Sequence, residues 1–325
     1  MGDPTPRVIY IAGADRSGST VLAMLLGDLP GCVGVGELRE VWQRGVRENR
    51  LCGCGTPFAD CRFWSEVGER AFGGWRAEDA VRQVRLRRAV DRVRHFPMAA
   101  SGRGRASFRA DMREYADRQR RVYDAVSAVS DGRVIVDSSK RATYALALHA
   151  AGVGLRVVHL VRDPRAVAHS WTRTRVMPDA HHARVQMPTF GPGRASAMWM
   201  SDNLAIEATR RVSPDQVTMR YESLVRTPQE EIARATAGEL AGVTGGDLTR
   251  FGAGSIEVGL QHSVAGNPVR LRGGAVTLRA DEEWRSTMPA ADRRVVAAVT
   301  WPLLLRYGYR LGSDRERPDN AHSTA

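Results

Sequence analysis

Short runs of buried-strand character alternate with helical stretches along this 325-residue chain. β-Branched and apolar runs predict strands at residues 7–12, 133–136, 155–161 and 216–220. Helical spacing predicts helices at residues 19–26, 143–151 and 195–211, and a further helix after Pro228. Strands that alternate with helices are typical of a parallel sheet with crossover helices. The sequence therefore predicts an α/β fold with a central, mainly parallel sheet.

Two segments interrupt this alternation: an arginine-rich helical stretch at about 62–130 and a loop at about 177–193. Insertions of this kind commonly form lids and pockets over the carboxyl ends of parallel strands. We expect both to line an acceptor pocket within a single domain that spans residues 1–312. The polar tail, residues 313–325, is expected to be disordered.

The formal net charge of +12 favours an anionic partner. Nucleic acid, a membrane surface and a small phosphorylated ligand are all compatible with that charge. Many arginines lie in residues 76–121, where a solvated helical face is the ordinary interpretation and RNA binding is the alternative. No run approaches the ~20 apolar residues of a membrane span, and the first residues lack a signal pattern, so we expect a cytoplasmic protein.

Three of the four cysteines cluster as Cys52, Cys54 and Cys61, while Cys32 lies apart. A structural zinc site normally has four ligands, and no histidine is close to these thiols in the sequence. We therefore expect no metal. A local turn, with a redox-sensitive thiol pair, is the favoured interpretation, because the absence of an export signal argues against an obligatory disulfide.

A glycine loop follows the first predicted strand, with the sequence Gly13-Ala14-Asp15-Arg16-Ser17-Gly18-Ser19-Thr20. It keeps the glycine spacing of a nucleotide P-loop but has Ser19 where the lysine is expected, which argues against triphosphate chemistry. Backbone N–H groups and the positive end of the next helix still favour a diphosphate-like anion. Arg16, Ser17 and Thr20 add donors. An ordinary strand-to-helix turn is the alternative interpretation.

A second anion site is predicted at the end of the strand that contains residues 155–161. Arg162 follows this strand, Asp163 and Pro164 suit the start of the next helix, and Ser170 comes two helical turns later. Both sites are expected at the same edge of the sheet. A ligand with two separated anionic groups fits this pair.

These residues resemble the sulfotransferases that use 3'-phosphoadenosine 5'-phosphosulfate. The run from Arg16 to Thr20 resembles the family's 5'-phosphosulfate loop, and Arg162 with Ser170 matches the pair that binds the 3'-phosphate. Further agreement lies in residues 220–224, 266–273 and 281–284. The resemblance spans residues 7–286 and implies a P-loop-like three-layer fold with helical insertions.

The resemblance implies transfer of a sulfuryl group from that donor to an acceptor hydroxyl, with adenosine 3',5'-bisphosphate as the second product. It places Tyr221 by the adenine and Arg270, Arg272 and Gly273 in a basic loop over the 3'-phosphate. The reaction needs no metal on this account, and no nucleic-acid partner is expected. A small hydroxylated acceptor is favoured, and an acidic acceptor would suit the basic lining of the pocket. A lipid and a peptide tyrosine are the other acceptors that the sequence leaves open.

The nearest branch, which includes tyrosylprotein sulfotransferases and many bacterial small-molecule enzymes, implies that Glu37 is the general base. From the residues alone, Glu37 follows a short extended segment, and partial burial in the cleft would raise its pKa toward a useful range. A surface ion pair with Arg39 or another of the many arginines is the alternative role. Histidine is the base in the cytosolic branch, which keeps His262 as an alternative.

Lys140 is the only lysine in the chain; the other 47 of its 48 lysine and arginine residues are arginine. It ends the run Asp137-Ser138-Ser139-Lys140, where the family places a lysine or histidine facing the transferred group. An ammonium there would stabilise charge on the bridging oxygen, together with Arg16. Ser139 and Lys140 are alternatives for this role.

Two other functions compete with this interpretation. One is a second kind of enzyme, a P-loop small-molecule kinase, and the other is not an enzyme but an arginine-rich RNA-binding protein.

Overall fold

The computed structural model describes residues 6–173, 176–177, 185–186, 188–211, 213–242, 248–252 and 254–311. Its strands are β1 (Arg7–Ala12), β2 (Cys32–Gly36), β3 (Val134–Lys140), β4 (Gly154–Val161), β5 (Val176–Met177), β6 (Val185–Gln186), β7 (Val217–Arg220), β8 (Ser255–Val258) and β9 (Gly274–Thr277). Its α-helices are α1 (Ser19–Gly27), α2 (Arg62–Phe72), α3 (Ala77–Val90), α4 (Phe96–Ser101), α5 (Ala106–Val129), α6 (Ala142–Ala150), α7 (Pro164–Thr172), α8 (Pro192–Ala208), α9 (Tyr221–Arg226), α10 (Pro228–Ala235), α11 (Trp284–Thr287) and α12 (Ala290–Arg306).

The central sheet has five parallel strands in the order β2-β3-β1-β4-β7. Strand β1 lies in the middle, with Val8 beside Ile135 of β3 and Leu155 of β4. This confirms the predicted α/β class and the mainly parallel sheet. Because β1 and β3 are neighbours, the glycine loop after β1 and the end of β3 lie side by side at the carboxyl edge.

Alternate residues of β1 face two different cores, since successive side chains of a strand point to opposite faces. Val8, Tyr10 and Ala12 join a cluster with helices α2, α3, α5 and α6. Ile9 and Ile11 join a cluster with α1 and α10 on the other face. Helices therefore cover both faces of the sheet, which is the expected three-layer arrangement.

The predicted elements differ from the observed ones mainly at their ends, whereas strands β2, β5, β6, β8 and β9 were not among the predicted strands. The apolar pattern predicted a strand that ended at residue 136, but β3 runs to Lys140. Polar residues 137–140 continue the strand and are fully or nearly buried. The predicted tail, residues 313–325, lies outside the described residues. Within the described ranges, none of the helices combines the length and apolar character of a membrane span.

Candidate active site

The glycine loop packs tightly between β4 and Tyr221. A Cβ atom on Gly13 would lie 2.6 Å from the Leu160 carbonyl oxygen, so the loop lies directly against the β4 backbone. Gly18 has φ +93°, in the left-handed region, and a Cβ there would lie 2.4 Å from the Tyr221 ring. Glycine at position 18 thus allows both the loop conformation and the approach of Tyr221.

We expect Gly18→Ala to lower the free energy of unfolding by about 1–3 kcal/mol, because it combines left-handed backbone strain with a steric overlap. Chemical denaturation measures the change. Gly132→Ala is a matched control, since Gly132 also has φ +72° but no atom within 4 Å of its added Cβ. Equal destabilisation in the two variants would show that contact with Tyr221 is unimportant.

One cavity of about 510 Å³ opens at this edge of the sheet. It brings together the loop after β1, the segment after β2, the end of β3, Arg162 after β4 and the last turn of α7. The predicted site residues that line it are Arg16, Gly18, Ser19, Thr20, Glu37, Lys140, Arg162, Ser170 and Tyr221. The other lining residues are Asp15, Val21, Arg44, Trp171, Pro188, Gly266, Asn267, Pro268, Val269 and Asp281.

Glu37 and Lys140 contact each other in this cavity. The Lys140 Nζ donates a hydrogen bond to Glu37 Oε1 and lies 3.8 Å from Asp15 Oδ1. Arg141 Nη2 holds the other Asp15 oxygen at 2.5 Å. Burial alone would raise the pKa of Asp15, but Arg141 and Lys140 outweigh it and hold that pKa at about 2. The ammonium is therefore fixed between two carboxylates.

Backbone strain marks two cavity residues. Lys140 has φ +71° and Arg16 has φ +70°, and both lie in the left-handed region that disfavours ordinary side chains. Such conformations persist where the surrounding structure enforces them, and they concentrate at functional sites. Lys140 is held by the Gly13 N–H, which donates to its carbonyl oxygen at 3.3 Å.

Asp137 organises the backbone on both sides of the Glu37–Lys140 pair. Its Oδ1 accepts hydrogen bonds from the Leu38 N–H at 3.4 Å and the Ser139 N–H at 2.8 Å. Tyr123 donates to the other oxygen. Burial raises the pKa of Asp137 to about 6, although the Ser139 and Tyr123 hydrogen bonds favour its ionised form.

Ser139 faces this buried network, and it is not among the residues that line the cavity. Its Oγ donates to Asp137 Oδ1 at 2.5 Å and accepts from the Arg39 N–H at 3.0 Å. The sequence left open whether Ser139 or Lys140 faces the transferred group; in the structure only Lys140 lines the cavity. Arg39 pairs with Asp91 at 2.5 Å, and not with Glu37 as the surface-pair alternative supposed.

Arg162 also lines the cavity and lies immediately after β4 in the chain. Its guanidinium donates to the Arg16 carbonyl at 2.9 Å and to Asp281 Oδ2 at 3.0 Å, and lies 4.9 Å from the Tyr221 ring centroid. Asp163 caps α7 by accepting from the Arg165 N–H at 2.8 Å, as predicted.

Five predicted cofactor residues do not line the cavity: Gly13 and Ser17 of the glycine loop, and Arg270, Arg272 and Gly273. Arg270 is buried, and its guanidinium donates to the carbonyls of Ser263 and Leu51, both at 2.8 Å. Arg272 and Gly273 are exposed. The resemblance placed Arg270, Arg272 and Gly273 over the 3'-phosphate, whereas the structure gives Arg270 a role in holding two loop segments together.

The expected acceptor walls are only partly present. No residue of the 62–130 segment lines the cavity; its helices instead pack in the core beside β1 and β3. Arg44, which is on a π-helix at Val41–Arg47, does line the cavity. Pro188 of the predicted 177–193 loop does line the cavity, while residues 178–184 and 187 of that loop lie outside the described residues.

His262 lies in the cysteine cluster and not at the cavity wall. Its Nδ1 is 3.3 Å from the Cys61 sulfur and 3.8 Å from the Cys52 sulfur. This position gives no support to His262 as the base. No histidine is near the three thiols in the sequence, but the fold brings His262 beside them from a distant part of the chain.

Residues 6–237 match the family model described as the sulfotransferase family. The chain belongs to the sulfotransferase family. This confirms the resemblance inferred from the anion-binding motifs, and it supports sulfuryl transfer as the general activity. No curated protein matches the sequence.

Solved structures of sulfotransferases are similar to this family member. The sulfotransferase domain from the curacin biosynthetic pathway is 16% identical, with a TM-score of 0.51 over 94% of this chain and 99% of that one. The domain from the Synechococcus PCC 7002 olefin synthase is 20% identical, with a TM-score of 0.46 over 93% and 97%. Sulfotransferase STF9 from Mycobacterium avium is 14% identical, with a TM-score of 0.42 over 76% and 67%. At 16% identity, the first likeness shows a shared fold.

Sequence reasoning missed several residues that shape the site. Asp91 and Arg141 act through ion pairs with Arg39 and Asp15. Trp171 lies 4.8 Å from the Arg16 guanidinium and stacks on it. The two residues of each ion pair lie on different elements of the fold. The sequence around one of them therefore does not indicate the other.

Proposed function

We propose that this family member transfers the sulfuryl group of 3'-phosphoadenosine 5'-phosphosulfate to a hydroxyl of a small molecule. The supporting observation is that one cavity holds the glycine loop, the Glu37–Lys140 pair and Arg162 with Ser170. Arg44 lines the same cavity and suits an acceptor that carries a negative charge.

The donor set fits an anion with two separated phosphate-like groups. The first N–H groups of α1 have no partners within the helix, and Ser19, Thr20 and Arg16 lie beside them. The buried Ser17 Oγ has no hydrogen-bond partner in the described part of the chain. These groups would hold the phosphosulfate, while Arg162 and Ser170 would hold the 3'-phosphate.

Glu37 and Lys140 divide the chemistry between them. Glu37 takes the proton of the acceptor hydroxyl as that oxygen bonds to sulfur. The bond from sulfur to the bridging phosphate oxygen breaks, and the electron pair stays on that oxygen. The donor supplies an activated sulfuryl group with adenosine 3',5'-bisphosphate as its leaving group. Lys140 and Arg16 stabilise the charge on the bridging oxygen.

The contacts at the cavity argue against a kinase. The carboxylates that line it, Asp15, Glu37 and Asp281, each contact a basic side chain, namely Arg141, Lys140 and Arg162. A magnesium-dependent kinase needs a carboxylate for the metal.

Some arginines of residues 76–121 form ion pairs within the fold, which weakens the RNA-binding alternative. Arg82 pairs with Glu114, and Arg118 pairs with Asp79 at 2.6 Å. Arg87 pairs with Glu40. The charge of this segment is therefore partly neutralised within the fold.

Calorimetric titration tests the proposed donor. We expect adenosine 3',5'-bisphosphate to bind with a stoichiometry of one and at least about tenfold more tightly than ATP, because the loop lacks a P-loop lysine and the cavity offers Arg162 for a 3'-phosphate. Equal preference for ATP, or no binding of the bisphosphate, would refute the proposal.

Arg162→Ala should weaken bisphosphate binding by about 10- to 100-fold, since a charge-assisted hydrogen bond contributes about 1.5–3 kcal/mol. Adenosine 5'-monophosphate lacks the 3'-phosphate, so its affinity should change little. Arg272→Ala is the matched control: Arg272 is exposed and does not line the cavity, and we expect wild-type affinity. The assignment fails if both nucleotides lose affinity equally, or if Arg272→Ala has the larger effect.

A further inference from the structure

Three thiols and one imidazole meet at a point away from the cavity. The ligand atoms of Cys52, Cys54, Cys61 and His262 all lie within 4.8 Å of one another. Cys52 and Cys61 are buried, and Cys54 and His262 are partly buried. Cysteines that only fill a core pack against apolar side chains, whereas these sulfur atoms face one another and a ring nitrogen.

Three of the six separations between ligand atoms match the edges of a tetrahedral metal site, and all six are within 4.8 Å. Zn–S bonds of about 2.3 Å at tetrahedral angles place two sulfurs about 3.8 Å apart, and a sulfur and a nitrogen slightly closer. The sulfurs of Cys54 and Cys61 are 3.7 Å apart. His262 Nδ1 lies 3.8 Å from Cys52 and 3.3 Å from Cys61. A disulfide would need a sulfur–sulfur distance near 2.05 Å.

A tight turn presents the first two cysteines. The Cys52 N–H donates to the Thr56 carbonyl at 2.8 Å, and the Gly55 N–H donates to the Cys52 carbonyl at 2.9 Å. Gly55 has φ +90°, which closes the turn. A Cβ on Gly53 would lie 2.3 Å from Ser263 Oγ, so glycine lets the turn lie against the segment that carries the histidine.

Helix α2 fixes the other two ligands. Cys61 is its N-cap, and the positive end of the helix favours a thiolate. The His262 ring stacks on Phe63 with centroids 4.7 Å apart and planes at 6°. The His262 carbonyl accepts from the Trp64 indole N–H at 3.0 Å. The imidazole is therefore held with Nδ1 toward the thiols.

We propose that Cys52, Cys54, Cys61 and His262 bind one zinc ion as three thiolates and one imidazole. Zinc favours four such ligands in a closed structural site. The Cys52–Cys54 spacing is shorter than the usual paired spacing, and the fold supplies His262 from 201 residues beyond Cys61. Up to three thiol protons leave when the metal binds.

The ion would tie two chain segments that support the cavity. The Gly53 N–H donates to the Ser263 carbonyl at 2.9 Å, and Arg270 bridges the carbonyls of Ser263 and Leu51. The residues that follow, 266–269, line the cavity, and the Asn267 N–H donates to Thr20 Oγ1 at 3.1 Å. The zinc site is thus structural, and it braces one wall of the cavity.

Metal analysis of the full chain, purified under reducing conditions without chelator, tests the proposal. Plasma mass spectrometry should find about one zinc per chain. Replacement by Co²⁺ should give the visible absorption of tetrahedral cobalt–thiolate coordination. Neither readout depends on sulfuryl transfer, so this result and the proposed function can fail separately. Zinc-free protein with a Cys54–Cys61 disulfide, or with iron and sulfide, would overturn the proposal.

Variants assign the ligands. After dialysis against a chelator, the His262→Ala variant should retain at most about one tenth of the zinc that the wild-type protein retains. The His262→Cys variant should retain zinc like the wild type, because it supplies a fourth thiolate. Cys32→Ala is the control, because Cys32 is a buried cysteine on β2 outside the cluster. Circular dichroism checks that each variant is folded. Zinc retained equally by His262→Ala and wild type would exclude His262 as a ligand.

Discussion

Glu37→Gln is expected to lower kcat by about 10²- to 10⁴-fold while the affinity for adenosine 3',5'-bisphosphate stays close to that of wild type. Glutamine has nearly the same shape and can still accept a hydrogen bond from Lys140, but it cannot take a proton from the acceptor. The Glu37 backbone is fixed independently, by its N–H to the Ala265 carbonyl at 3.4 Å. The substitution should therefore remove a proton acceptor without moving the cavity wall.

Steady-state kinetics and calorimetry on the same preparations separate these effects. A general base also predicts that the fall of kcat/KM on the acid side of the pH profile disappears in the variant. Glu66→Gln is a matched control, since Glu66 is on α2, does not line the cavity and pairs with Arg62 across one helical turn. Unchanged turnover in Glu37→Gln would remove Glu37 as the base.

Lys140→Met is expected to lower kcat by about 10²- to 10³-fold, because it removes a cation aimed at charge that develops on the bridging oxygen. Methionine keeps the length and most of the apolar stem of lysine. Since the interaction strengthens in the transition state, kcat should fall more than KM rises. A loss confined to KM would instead indicate that Lys140 only binds the donor.

The single lysine allows a direct test in the wild-type protein. An amine-directed reagent can modify only Lys140 and the terminal amine, because all other basic side chains are arginine. We expect adenosine 3',5'-bisphosphate to slow labelling of Lys140 and labelling to abolish turnover. Peptide mass spectrometry identifies the labelled position. Fully labelled Lys140 with normal turnover would contradict the catalytic role.

The sequence determined most of the sheet and its helices. Strands β1, β4 and β7 and helices α1, α6, α8 and α10 lie within a few residues of the predicted ranges, because apolar periodicity and β-branched runs are local properties. The glycine loop and the Arg162–Ser170 pair were also predicted, since each motif lies within one strand-to-helix turn. Family membership followed from the order of these motifs.

The predicted composition of the cavity was less accurate where it depended on insertions. The 62–130 helices pack in the core and do not line the cavity, whereas Arg44 does. The sequence of an amphipathic helix predicts which of its residues are buried, but it does not predict which other element the apolar face packs against. Arg270 likewise resembled a phosphate ligand, and its partners are two backbone carbonyls.

Only the tertiary structure decided which charged groups meet. Lys140 reaches Glu37 across 103 residues because β3 lies between β2 and β1, and strand order is not a property of any single segment. Arg39 likewise pairs with Asp91, which follows α3 and lies 52 residues away in the sequence. The three cysteines were visible in the sequence, but the histidine that lies beside them comes from 201 residues beyond Cys61. Local chemistry determined the parts of this protein, and long-range packing determined their partners.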